Sequence, residues 1–162
     1  MVELRDMAGT ELIAYCGIWC GACSFRVACQ EKERGHLTSM PAKYDKFKSE
    51  PLGTPCGGCK EDPDSCGDCA IRTCAQGRGL SHCGLCADHP CARLNEFAND
   101  GMPHHAEAVA GLKAVAREGE GAWAARQEKR WRCRCGARLS WYLSACPECG
   151  EACQPSSPPA RP

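Results

Sequence analysis

The stretch CGIWCGAC places Cys16, Cys20 and Cys23 at x3 and x2 spacing, among glycines that permit a tight turn. Cysteine is unusually frequent, with 17 in 162 residues. Many of these fall into C-x2-C pairs, in which two thiolates point at one ion from a knuckle turn. Sixteen divide along the sequence into four sets of four. The sets are Cys16, Cys20, Cys23, Cys29; Cys56, Cys59, Cys66, Cys69; Cys74, Cys83, Cys86, Cys91; and Cys133, Cys135, Cys146, Cys149. Tetrahedral zinc takes four such ligands, so the expected cofactor is Zn2+, several ions and up to four. The grouping itself stays open, because zinc modules pair knuckles that are distant in sequence. Cys20 and Cys23, for example, could share an ion with Cys56 and Cys59. Cys153 is left over and reads as a bystander thiol.

Other cysteine chemistries compete with this one. C-x3-C-x2-C is the spacing of a radical S-adenosylmethionine cluster, but the chain has neither the length nor the alternating strands of the barrel such chemistry needs. A closed iron–sulfur cluster within residues 16–91 is the alternative to zinc. A disulfide framework would strand one of the 17 cysteines and suits an oxidising compartment. The opening MVELRDMAGTELIAY carries charges where a secretory signal has its apolar run, so a cytoplasmic protein is expected. No stretch approaches the roughly 20 apolar residues of a membrane span, and no membrane partner is expected.

The last set reads most clearly. Cys133/Cys135 and Cys146/Cys149 are two turn-forming pairs, each followed by glycine in CRCG and CPECG. With RLSWYLS between them, they resemble a zinc ribbon, for which a single iron is the other candidate occupant. The run RQEKRWRCRCGAR, Arg126 to Arg138, interleaves six basic residues with Trp131 and precedes Trp141 and Tyr142. That pattern could bind nucleic acid through phosphate contacts and base stacking. The plainer reading has the arginines shield metal–thiolate charge and the tryptophans form a small core.

Histidines and carboxylates add less. His82 and His89 flank cysteines and could replace one as a ligand, but enough cysteines exist without them, so both read as surface or neighbouring groups. His104 and His105 read as solvated at a helix start, and His36 sits alone in a polar segment. His105-Ala106-Glu107 spells the H-x-E of zinc deaminases, but no P-C-x-x-C follows. Asp62, Asp64 and Asp68 resemble a calcium loop only superficially. No acid–base pair or supported nucleophile emerges, and the reading leans away from an enzyme.

The elements that position these thiols must be short. Helices are expected after Cys23 (SFRVACQEKE), over about 41–49 behind Pro41, over about 70–76, after Cys91 (ARLNEFAND), over 104–118 with a stop at Gly119, and over 121–131. The fold class is a small metal-stabilised α+β protein. Irregular cysteine-knuckle loops and short helices are followed by a helical segment and a zinc-ribbon-like hairpin. The divisions are a cysteine-rich domain over 12–100, a helical segment over 103–131 packing on it, a ribbon over 132–153 and a disordered tail over 154–162. Formal charge is zero. Four zinc ions held by sixteen thiolates would shift the folded chain to about −8, a poor charge for general nucleic-acid binding.

These residues also resemble a known family. YCGIWCGAC at 15–23, CGGC at 56–59 with Cys66 and Cys69, and CAQGRGLSHCGLCADHPCARLNEF at 74–97 are similar to the cysteine-rich family DUF3795. The resemblance covers about residues 12–97 and implies metal-ligand roles for Cys16, Cys20, Cys23, Cys56, Cys59, Cys66, Cys69, Cys74, Cys83, Cys86 and Cys91. It supplies no reaction. The expected function is a multi-zinc scaffold that binds a protein partner. The alternatives are an iron–sulfur redox protein, a thiolate store for a soft metal, and nucleic-acid binding through Arg126–Arg138.

Overall fold

A computed structural model describes residues 9–53, 56–62 and 66–156. The first eight residues, Pro55 before the CGGC knuckle, Asp64 and residues 157–162 of the tail lie outside the described residues.

The chain is mostly helical. Helix α1, Ser24–Glu31, follows the first knuckle and buries Ser24, Val27 and Ala28 at i, i+3 and i+4. It stops at Lys32, whose φ of 53° is left-handed. The helix expected over 41–49 is shorter and broken. After the one-turn α2, Gly35–Thr38, a 3-10 turn at Ala42–Tyr44 leads into one α-turn, α3, Asp45–Lys48. Pro51 accounts for the stop, since a residue before proline avoids helical backbone. Phe25 of α1 sets its edge against Tyr44 and Phe47, with ring centres 5.7 and 5.3 Å away.

Helix α4, Ala70–Gly77, buries Ile71 and Ala75, and α5, Ala92–Ala98, buries Leu94. Helix α6, Ala108–Glu118, starts later than the sequence suggests, because His105–Glu107 form a 3-10 turn. It buries Ala108, Leu112 and Val115, and Gly119 at φ 87° ends it. Helix α7, Glu120–Arg130, turns Trp123, Ala124 and Gln127 inward and hands over to buried Trp131.

One buried cluster joins both ends of the chain, from Leu12, Ile13 and Trp19 through Leu94, Leu112 and Trp123 to Trp131, Leu139, Trp141 and Leu143. Trp19 meets Trp123 edge-on at 5.8 Å. The Cys16–Cys20 loop seats directly on α6. A Cβ on Gly17 would lie 2.4 Å from Leu112 Cγ, and one on Gly111 would lie 2.5 Å from the Gly17 carbonyl oxygen. Only glycine permits that approach.

Among the described residues, β structure reduces to isolated antiparallel bridges, Ile13 with Trp19, Arg132 with Arg138, and Ala145 with Ala152. The segment between the last two knuckles is drawn into the core instead of pairing with itself. Ser140 is fully buried, and the Trp141 amide donates to the Ala22 carbonyl at 3.1 Å. Among the described residues no helix is long and apolar enough to cross a membrane.

Candidate metal centre

Cys133, Cys135, Cys146 and Cys149 converge. Their sulfurs all lie within 4.8 Å of one another, the one such group among the described residues. Cys133 and Cys149 are 3.6 Å apart, and Cys135 and Cys146 are 3.7 Å apart. Each knuckle is a closed turn. The Gly136 amide donates to the Cys133 carbonyl and the Gly150 amide to the Cys146 carbonyl, both at 2.9 Å. Gly136 and Gly150 have φ of 94° and 75°, the left-handed region where a glycine belongs.

Backbone amides face the sulfurs: those of Cys135, Ala137, Glu148, Cys149 and Glu151. Donors aimed at sulfur favour thiolate. Burial pushes Cys146 up, but the Cys149 and Glu148 amides and the Cys133 and Cys135 thiols draw it down to about 7. Arg134 pairs with Glu151 beside this group. Cys153 stands apart, with its thiol donating to the Leu143 carbonyl at 3.2 Å.

The cysteines of residues 16–91 are arranged differently from their order in sequence. Cys59 interacts directly with Cys20 and is drawn down to about 7 by it, against the effect of burial, with help from the Tyr15 amide. Cys66 interacts directly with Cys56 and lies near Cys23 and Cys59. Burial pushes Cys23 up to about 11, with Cys56 adding to it. Cys16, also raised by burial, lies within electrostatic reach of Cys59, Cys69 and Cys83. Cys83 is pushed up to about 11 by burial, then by Cys91, Cys74, Cys86 and Cys69. The neighbourhoods therefore cross the sequential sets: the Cys20/Cys23 turn meets the Cys56/Cys59 turn, and the Cys83 amide donates to the Tyr15 carbonyl next to Cys16. Cys29 lies on α1, a helix rise of about 9 Å beyond Cys23.

Thiols that raise one another's pKa lack a countercharge, and a divalent cation supplies one. The four-sulfur group fits such an ion, with donor number, spacing and amide support all in place.

A family model described as "Protein of unknown function (DUF3795)" matches residues 12–96. The chain belongs to the DUF3795 family. The match takes in every cysteine from Cys16 to Cys91 and ends before the Cys133–Cys149 group. No curated protein and no solved structure matches the chain.

The histidines depart from their sequence reading. His36 is buried, with Nδ1 2.8 Å from Ser140 Oγ. His104 is also buried rather than solvated. It stacks on Trp141 at 4.2 Å, and its Nδ1 meets the Tyr142 hydroxyl. His105 bonds Asp100, and His82 bonds both Glu120 and the Gly84 amide. These partners come from distant elements, which residue spacing does not display.

The basic run is a mixed-charge face. Arg126 pairs with Glu118, Arg130 with Glu107, Arg132 with Glu128, Arg134 with Glu151, and Arg138 with Glu31 and Glu128. Trp131 and Trp141 are buried in the core.

Proposed function

We propose that this chain is a multi-zinc protein whose metal sites take over part of the work of a hydrophobic core, and whose task is to bind another protein. The observation that carries it is the Cys133/Cys135/Cys146/Cys149 group. Tetrahedral zinc with Zn–S bonds of about 2.3 Å spaces its sulfurs about 3.8 Å apart. The distances of 3.6 and 3.7 Å lie close to that. In an iron–sulfur cluster the thiolates are spread over several irons, so this group suits one ion and reads as a zinc ribbon.

A site closed by four thiolates has no open position for substrate, which favours a structural role. The interaction reading draws support from Leu85, 58 % exposed at the end of the Cys83–Leu85 turn. That turn holds a large apolar side chain out on a cysteine loop. The nucleic-acid reading draws less, since the arginines of the run carry their own carboxylates and its tryptophans are buried.

An iron–sulfur cluster within residues 16–91 is the second reading. In its favour, among the described residues no three sulfurs there come mutually within 4.8 Å, as the ribbon's do. Elemental analysis with a visible spectrum separates the two, on protein purified without oxygen or an affinity tag. Several zinc ions in a colourless sample supports the scaffold. Stoichiometric iron with sulfide in a brown sample replaces it with a redox protein.

A further inference from the structure

The sequence contains five histidines. Four of them have a protein partner for a ring nitrogen: His36, His82, His104 and His105. His89 is different. Both of its ring nitrogens are buried, and neither has a hydrogen-bond partner among the described residues. Burying an imidazole in that way costs free energy unless something binds it.

His89 lines a cavity of about 50 Å³ together with Cys74, Cys83, Cys86 and Cys91. Arg78 closes one side, its guanidinium 3.1 Å from Cys86 Sγ and 2.8 Å from Asp88. His82, the other histidine of this loop, does not compete, because Gly84 and Glu120 occupy its ring nitrogens.

Cys83 is tied to a second element. Its amide donates to the Tyr15 carbonyl at 2.8 Å, which ties it to the segment carrying Cys16. Its sulfur interacts electrostatically with Cys91, Cys74, Cys86 and Cys69, and with Cys16.

We propose that His89 is a metal ligand: its imidazole joins Cys74, Cys86 and Cys91 around one zinc-type ion, and Cys83, tied by its amide to the segment that carries Cys16, serves a neighbouring ion. The inference rests on the zinc reading above. Setting Cys29 aside, the family region holds eleven cysteines. Eleven thiolates and one imidazole make twelve donors, the number three tetrahedral ions require. The donors of the His89 loop are spread wider than those of the ribbon, so the ion draws them together. With three thiolates and a neutral imidazole, the site carries one unit less negative charge than a four-thiolate site.

The test uses the full chain loaded with zinc. His89→Ala should release one zinc per chain to a chelator that leaves the wild type full, and His89→Cys should restore it. Cys86→Ser separates the two levels of the argument. If Cys86→Ser loses a zinc and His89→Ala does not, the imidazole is no ligand and the zinc reading stands. If neither loses one, the metal reading of this loop fails and the inference with it. Nitrogen-15 spectra of the wild type serve should a variant not fold. A metal-shifted, unprotonated His89 nitrogen supports ligation, and two nitrogens that titrate as free imidazole overturn it.

Discussion

His36 Nδ1 lies 2.8 Å from Ser140 Oγ, a buried hydrogen bond between residues 104 positions apart. It joins the α2 turn to the segment between the last two knuckles. One residue on, the Trp141 amide on the Ala22 carbonyl ties the same segment to the first knuckle. The segment carrying the four-sulfur group is thus seated on the family region through polar contacts as well as through the shared core. Ser140→Ala should leave a buried imidazole nitrogen unpaired and cost about 1–3 kcal/mol. Chemical denaturation measures it, and an unchanged midpoint would mean that this contact contributes nothing.

The approach of Gly17 to Gly111 is a second junction. Gly17 has φ of 95°, and its added Cβ would strike the Leu112 side chain and the Ala108 carbonyl. Gly17→Ala combines left-handed strain with a core clash and should destabilise by about 3 kcal/mol. In a helix, alanine at Gly111 would ordinarily stabilise by about 1 kcal/mol. Here the Gly17 carbonyl blocks it, so Gly111→Ala should destabilise instead. Thermal melts of both variants decide, and a stabilised Gly111→Ala would refute the close approach.

Burial holds His104 down to about 3, with His105 adding to it. The folded pKa lies below the ordinary value near 6.5, so the unfolded chain takes up the proton first. The stabilisation is complete above about pH 6.5 and is lost as the pH falls toward 3, by up to about 1.4 kcal/mol per pH unit. The His104 ring signals should therefore stay flat between pH 7.5 and 5 in a nuclear magnetic resonance titration. A midpoint near 6.5 would place the ring in solvent.

Because each arginine of the 126–138 run has a glutamate partner, single-stranded oligonucleotides should bind weakly. The dissociation constant expected at physiological salt is above about 0.1 mM. Fluorescence anisotropy across a salt series checks this. Micromolar binding that falls steeply with salt would restore the nucleic-acid reading.

The helices were legible because their signals are local. Leu112 and Val115 form a stripe on α6, Gly119 stops it, and Gly136 and Gly150 follow their knuckles at positive φ. Cysteine neighbourhoods were not legible to the same degree. The second and last sets both combine two nearby knuckles, yet among the described residues only the last converges as its spacing suggests. Cys20 beside Cys59 and Cys83 beside Cys16 depend on how loops cross, which spacing along the chain does not encode. The buried His36 and His104 were missed for the same reason: Ser140, Trp141 and Tyr142, which receive them, come from the far end of the sequence. The α+β expectation treated RLSWYLS as a self-paired hairpin. Ser140 and Trp141 turn into the core instead: Trp141 bonds Ala22 and Ser156 through its amide and carbonyl, and the Leu143 amide closes a turn on the Ser140 carbonyl.

The most direct test of the account is the zinc content of the wild-type chain beside that of Cys146→Ser. Cys146 is 3 % exposed and belongs to the four-sulfur group. The account predicts that the variant carries one zinc fewer per chain than the wild type, with the remaining ions retained. Equal zinc in the two proteins, or none in either, would contradict it.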